Sequence, residues 1–186
     1  SVYVKFAGVQ PYSEYLDNRD LITLFGNISS VLSASQHFIK RLHRLVPSYI
    51  AEECRLDASD PENLLKDVPS NFLDYLPLME KPFREYCVKN KHQMNTFYRI
   101  NKIACPTIDK WLVECNELSN PVTAAWSLDS LLIKPVQRLL KYPLLLSSIL
   151  KNTPENHPDY LSLKYALKEI ESCAQGINNE ADSSSL

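Results

Sequence analysis

Glycine is nearly missing. Only Gly8, Gly26 and Gly176 occur in 186 residues, far below an average usage of roughly 7%. Tight hairpins and glycine-rich phosphate cradles need backbone conformations that glycine adopts without strain, so both are nearly excluded. Long apolar runs are lacking too. Apolar residues make up 45% of the chain, but no run approaches the roughly 20 residues that span a bilayer. The five cysteines (Cys54, Cys87, Cys105, Cys115, Cys173) are odd in number and never spaced C-x-x-C. They read as buried thiols of a reduced, intracellular chain, not as a disulfide framework. His37, His43, His92 and His157 are scattered, with no H-E-x-x-H, so no metal site is expected. A net charge of −2 does not suit a nucleic-acid binder that works by neutralising phosphate. Neither a nucleophile elbow nor a cofactor motif occurs.

What is present is helical periodicity. At this length one domain with a real core is expected. Asp20 to Leu45 carries Leu21, Leu24, Phe25, Ile28, Leu32, Phe38, Ile39, Leu42 and Leu45 near a 3.6-residue period, predicting one long helix ended by Pro47. An acidic connection follows around Ala58 to Asp67. Phe72, Tyr75, Leu76 and Met79 predict a second helix, interrupted at Pro77 and Pro82. Phe83 to Ile103 reads as a third, with Tyr86, Val88, Met94, Phe97, Tyr98 and Ile100 as core candidates, and Ile108 to Leu118 as a fourth. A Ser119-Asn120-Pro121 break comes next. After a turn over Asn152 to Pro158, Leu163, Leu167, Ile170, Ala174 and Ile177 form the seam of a last helix. No alternating strand pattern of useful length appears. The fold class expected is all-α, an elongated helical bundle, with a frayed linker tail at 181–186.

The most informative stretch is Leu131 to Leu146, Leu-Leu-Ile-Lys-Pro-Val-Gln-Arg-Leu-Leu-Lys-Tyr-Pro-Leu-Leu-Leu. It looks helical yet holds two prolines, and an interior proline costs roughly 3 kcal/mol. Pro135 suits a first turn; Pro143 requires packing to hold a kinked or broken helix. Lys134, Gln137 and Lys141 share one face by their i, i+3, i+7 spacing, while Leu132, Val136, Leu139, Leu146 and Ile149 serve another. That stripe is either the wet side of a half-buried helix or a surface prepared for a partner. The basic run Lys40, Arg41, His43, Arg44 reads first as a helix C-terminus matched to its dipole and second as a lipid-binding patch. Glu52 and Glu53 are adjacent, hence not on one helical face, and read as solvated surface.

The same stretch, with Asn-Thr-Pro-Glu-Asn-His-Pro-Asp-Tyr after it and Gly176-Ile177-Asn178 near the end, resembles the third conserved region and final helix of Dbl-homology domains, the exchange modules of Rho-family GTPases. Leu24-Phe25-Gly26-Asn27-Ile28 is similar to that family's second landmark; Val46 to Val122 matches only in helical character. The resemblance implies a module that binds both switch regions of a GTPase, dislodges magnesium and nucleotide, and holds the empty GTPase until GTP rebinds. No bond is made or broken, so an enzyme in the covalent sense and a cofactor of its own are not expected. It implies that Gln137, Lys141 and Asn178 face the GTPase, with Lys141 near acidic residues of the second switch. Ile133 and Val136 match positions that meet the strand between the switches and select among Rho, Rac and the cell-division-cycle type, with a lean towards the last. Lys134 is a possible additional contact. Arg138, Tyr142 and Pro143 match scaffold positions.

The family also places a glutamate on its first helix in a Thr-Glu-x-x-Tyr pattern. If Tyr3 is that tyrosine, the glutamate falls just ahead of Ser1, and the domain is expected to be truncated at its N-terminus, an excised segment of a longer chain. Glu14, before Tyr15, lies closer to Leu24 than the family's spacing. The competing reading is a non-catalytic module of the same fold that binds a GTPase or another helical partner as a scaffold. A more remote one is a generic membrane-associated helical domain. The resemblance implies cytoplasmic residence with recruitment to the cell cortex or plasma membrane through other domains.

Overall fold

The computed structural model describes residues 3, 7, 14–45, 68–103, 105–119 and 127–183, with the backbone alone at 43–45 and 119. Outside these residues lie Pro47, the connection at 58–67, Glu52, Glu53, Cys54 and the Asn120-Pro121 break; the side chains of His43, Arg44 and Leu45 are likewise not described. Every element among the described residues is helical: α1 (Asn18–Phe25), α2 (Ile28–Leu45), α3 (Val68–Asn101), α4 (Pro106–Ser119), α5 (Leu128–Leu132), α6 (Lys134–Lys151) and α7 (Tyr160–Ser183). The all-α bundle is therefore as expected, and none of these helices is long and apolar enough to cross a membrane.

The single helix expected over Asp20 to Leu45 is two. Gly26 ends α1 at φ 48°, a conformation that a β-carbon disfavours, and its amide closes the last turn on the Ile22 carbonyl at 2.9 Å. Asn27 then fixes the corner by donating its side-chain amide to the Pro82 carbonyl at 2.9 Å. The sequence period runs through the corner because both helices turn apolar faces to the same bundle. Leu32 and Ile39, expected inside, are half in solvent at 54% and 50% exposure, as is Tyr98 at 49%. Val31, Ala34 and Phe38 form the buried face of α2 instead.

The two helices expected on either side of Pro77 and Pro82 are one. α3 runs unbroken for 34 residues through both prolines, about 50 Å at 1.5 Å per residue. Phe72, Tyr75, Met79, Phe83 and Tyr86 are buried along it, so packing on both sides of each proline holds the rod in line. Pro77 lies on the exposed face, where water can serve the carbonyl that lost its amide partner. α1, α2, α6 and α7 all pack on this rod. One core joins α2, α3, α6 and α7, and a second gathers Tyr3, Leu24, Phe97, Trp111, Cys115, Leu128 and Leu132.

α6 contains Pro143 without breaking. The discontinuity falls ten residues earlier, at Ile133, the junction of α5 and α6. Pro135 does occupy a first turn, as expected. At the other end Asn152 donates to the Ser148 carbonyl at 2.8 Å and Thr153 to the Ile149 carbonyl at 2.9 Å, satisfying orphan groups of the last turn. The seam of α7 is buried at Leu163, Ile170, Ala174 and Ile177, with Ala166 also buried and Leu167 partly so. Residues 181–183, expected to fray, continue α7 to Ser183; 184–186 lie outside the described residues.

Candidate functional site

α6 explains itself from its composition. Its 18 residues, KPVQRLLKYPLLLSSILK, include no Asp or Glu. Lys134, Gln137, Arg138 and Lys141 are all exposed over its first two turns. Among the described residues no carboxylate comes within ion-pair distance of Lys134 or Lys141, whereas Arg41, Arg84 and Lys89 each meet one. A strip of uncompensated positive charge therefore runs along the outer side of the helix.

The inner side fixes that strip. Leu139 and Leu146 are buried, and Tyr142 is 5% exposed within an aromatic box. Its ring meets Phe38 and Phe72 edge-on, each at 5.8 Å, while Phe38 stacks on Tyr75 at 4.1 Å. Edge-to-face geometry of this kind adds about 0.5–1.5 kcal/mol per pair to area burial. Tyr142 is thus scaffold in structure, as its position in the motif implied. Arg138 is exposed, yet its charge still acts on the neighbouring phenols, opposing the burial that raises the Tyr142 pKa.

The residues singled out from the sequence fall into two groups. Val136 and Asn178 come together: both line an open groove of about 380 Å³ between α3, α6 and α7, with Asn90, Lys91, Leu140 and Asp182. Asn178 is exposed and donates to the Asp182 carboxylate at 3.1 Å, a solvent-facing pair that costs little to give up. Lys134, Gln137 and Lys141 sit on the adjoining face of α6 by their spacing, and Ile133 stands half-buried at the α5–α6 corner. One continuous surface on α6 and α7 thus carries a branched apolar corner, a basic strip and a groove of mixed apolar and polar lining.

The sequence reading missed Leu140, which is 46% exposed in the groove and resembles its buried neighbour Leu139 in everything but helical phase. Leu144 and Leu145 are exposed as well, at 68% and 49%. Period counting along α6 alone separates these leucines once the face through Leu139 and Leu146 is known.

Tyr3 is 3% exposed. Its ring meets Trp111 edge-on at 5.8 Å, and burial, helped by Cys115 and Asp129, pushes its pKa up. Glu14, by contrast, is exposed in a turn ahead of α1, and Tyr15 is 52% exposed. Tyr3, not Tyr15, occupies a packed position beside α4 and α5.

Residues 2–178 match the RhoGEF domain family. The chain is 33% identical over 166 residues to Rho guanine nucleotide exchange factor gef1 of Schizosaccharomyces pombe, covering 87% of this chain and 21% of that protein. It is 31% identical over 156 residues to the human phosphatidylinositol 3,4,5-trisphosphate-dependent Rac exchanger 2 protein, covering 83% and 9% respectively. It therefore spans about a fifth or less of these relatives. Its fold is similar to the DH/PH domain of human ARHGEF11 in a ternary complex with human RhoA and its inhibitor, with a TM-score of 0.74, 15% identity, and coverage of 99% of this chain and 50% of that one. It is also similar to the Vav1 exchange factor, at TM-score 0.72 and 23% identity, covering 95% and 43%.

Proposed function

The chain belongs to the RhoGEF domain family, and from that premise we propose that it is the exchange module for a Rho-family GTPase, docking the GTPase on the surface formed by Ile133, Val136, Gln137, Lys141 and Asn178. The observation that carries this reading is the α6 strip. A folded helix that leaves Lys134 and Lys141 without an acidic partner among the described residues, beside an open groove of mixed apolar and polar lining, is complementary to an acidic, partly apolar loop such as a GTPase switch.

The mechanism is differential binding. A surface that holds the GTPase more tightly when it is empty than when it carries nucleotide must weaken nucleotide binding by the same factor. Lys141 meets carboxylates of the second switch, withdrawing them from the arrangement that supports the nucleotide and its magnesium. Asn178 exchanges its bond to Asp182 for one to the same switch. Gln137 adds a neutral donor and acceptor on the shared face. Ile133 and Val136 meet the strand between the switches; their branched, medium-sized surface leans towards the cell-division-cycle type, whose facing residue is phenylalanine where Rac and Rho carry tryptophan.

The test is release of a fluorescent GDP analogue from a panel of Rho, Rac and cell-division-cycle GTPases, using the chain at micromolar concentration. Faster release from at least one GTPase is expected. No response across the panel, together with retained binding, would replace exchange by the scaffold reading.

A further inference from the structure

The corner at Ile133 is held by side chains from another helix. The Leu132 carbonyl, at the last residue of α5, receives the Tyr86 hydroxyl at 2.8 Å and the Asn90 side-chain amide at 3.2 Å. Tyr86 is 0% exposed and Asn90 7%, so both donors act out of water. A buried carbonyl at a helix discontinuity needs such partners, because the ladder of backbone hydrogen bonds is interrupted at the corner.

The donors are themselves braced. Asn90 also donates to Oε1 of Gln93 at 3.1 Å, and Gln93 is 0% exposed. The Gln93 amide lies where a β-carbon at Gly26 would stand, 2.6 Å away. Gln93, Asn90 and Leu132 thus form a buried chain of contacts that runs from the exposed α1–α2 corner at Gly26 to the α5–α6 corner. It runs between the two apolar cores, with Tyr86 in one and Leu132 in the other. Burial raises the Tyr86 pKa, so its hydroxyl stays a donor throughout the working pH range.

We infer that Tyr86 and Asn90 are positioning residues for GTPase selection: by clamping the Leu132 carbonyl they fix where Ile133 stands on the docking surface. The inference rests on the exchange reading above, because Ile133 selects a GTPase only if one docks there. Asn90 has a second point of action, since it lines the groove with Val136 and Asn178. A shift of the corner changes the fit to phenylalanine and to tryptophan unequally, so the clamp acts on the ratio of exchange rates between GTPases and not merely on their sum.

The experiment compares Tyr86→Phe, which deletes one clamp hydroxyl, and Asn90→Leu, which deletes the other donor, with Tyr75→Phe. Tyr75 is 1% exposed on the same helix, in the aromatic box away from the corner. Two readouts are taken on each: the ratio of kcat/KM for nucleotide release from cell-division-cycle and Rac GTPases, and amide hydrogen exchange at Ile133, Lys134, Val136 and Gln137. For each clamp variant the ratio should move about fivefold, the worth of one hydrogen bond, with faster amide exchange at the corner, while Tyr75→Phe changes neither. An unchanged ratio in Tyr86→Phe, or an equal change in Tyr75→Phe, overturns the selectivity role. Unchanged amide exchange in both clamp variants overturns the clamp itself. Should the parent domain release no nucleotide, the exchange reading has failed, and the amide measurement alone still decides whether the clamp exists. Tyr86→Phe removes a single atom from the interior, so it remains informative if Asn90→Leu does not fold.

Discussion

A β-carbon added to Gly26 would stand 2.6 Å from Nε2 of Gln93, so a corner near the start of the chain is held open for a buried amide in the last third of α3. Gly26→Ala therefore meets two penalties. The backbone at φ 48° costs a non-glycine residue about 1–3 kcal/mol, and crowding Gln93 adds about 1–3 kcal/mol of overpacking. Urea unfolding should show a loss of about 2–6 kcal/mol; an unchanged midpoint would mean that the corner relaxes at no cost.

Tyr142 anchors α6 through its ring. Tyr142→Ala should cost about 3–5 kcal/mol, because it empties the box of Phe38, Phe72 and Tyr75. Tyr142→Phe keeps the ring and should cost no more than about 1.5 kcal/mol. Denaturant midpoints of the two variants check this, and equal losses would assign the anchoring to the hydroxyl instead.

Cys87 makes stability fall at alkaline pH. Burial pushes its thiol up to about 11 from an ordinary 9.0, so the folded state favours the protonated form. A folded pKa above the unfolded one contributes stability that is complete below pH 9 and is lost as pH rises towards 11. Cys87→Ala removes this term. The gap between the parent and variant thermal midpoints should shrink across that window, and a constant gap would show that the thiol titrates normally.

Much of this architecture is legible in the chain. Leu163, Ile170, Ala174 and Ile177 follow the helical period and are buried, because α7 lies along α3 for most of its length. The stripe of Lys134, Gln137 and Lys141 follows from spacing alone. The corner at Gly26-Asn27 does not, since its cause is Gln93 and Pro82, remote in sequence. The continuity of α3 is hidden for a related reason: local rules count the cost of Pro77 and Pro82, while tertiary packing decides whether it is met. Asn178 could be singled out only through resemblance, as an exposed asparagine near a helix end carries no signal of its own. Its place beside Val136 required the fold.

Lys141→Ala should leave the thermal midpoint unchanged, since the residue is exposed and has no ion-pair partner among the described residues. Its loss strands switch carboxylates in the complex, at about 2–5 kcal/mol, so kcat/KM for exchange should fall by at least about 30-fold. Asn178→Ala removes a neutral group and should cost less, about 1–3 kcal/mol. Nucleotide-release kinetics and melting of both variants check this. Normal exchange with normal melting in Lys141→Ala would remove that residue from the docking surface.

Selectivity at Ile133 should be graded. One methylene at such a contact is worth about 1–3 kcal/mol, so Ile133→Ala should weaken the lean towards the cell-division-cycle type without abolishing exchange. Rates on the three GTPase types measure it, and a parent domain that acts on Rho alone would reverse the assignment.

The central claim is that this surface prefers an empty GTPase. Its most direct test is the affinity of the chain for the responsive GTPase in nucleotide-free and GDP-loaded forms, measured in one titration format. Exchange by differential binding predicts much tighter binding of the empty form, and the same factor must appear as weakened GDP affinity in the complex. Equal affinity for the two forms would contradict the account and leave a scaffold that binds GTPases without emptying them.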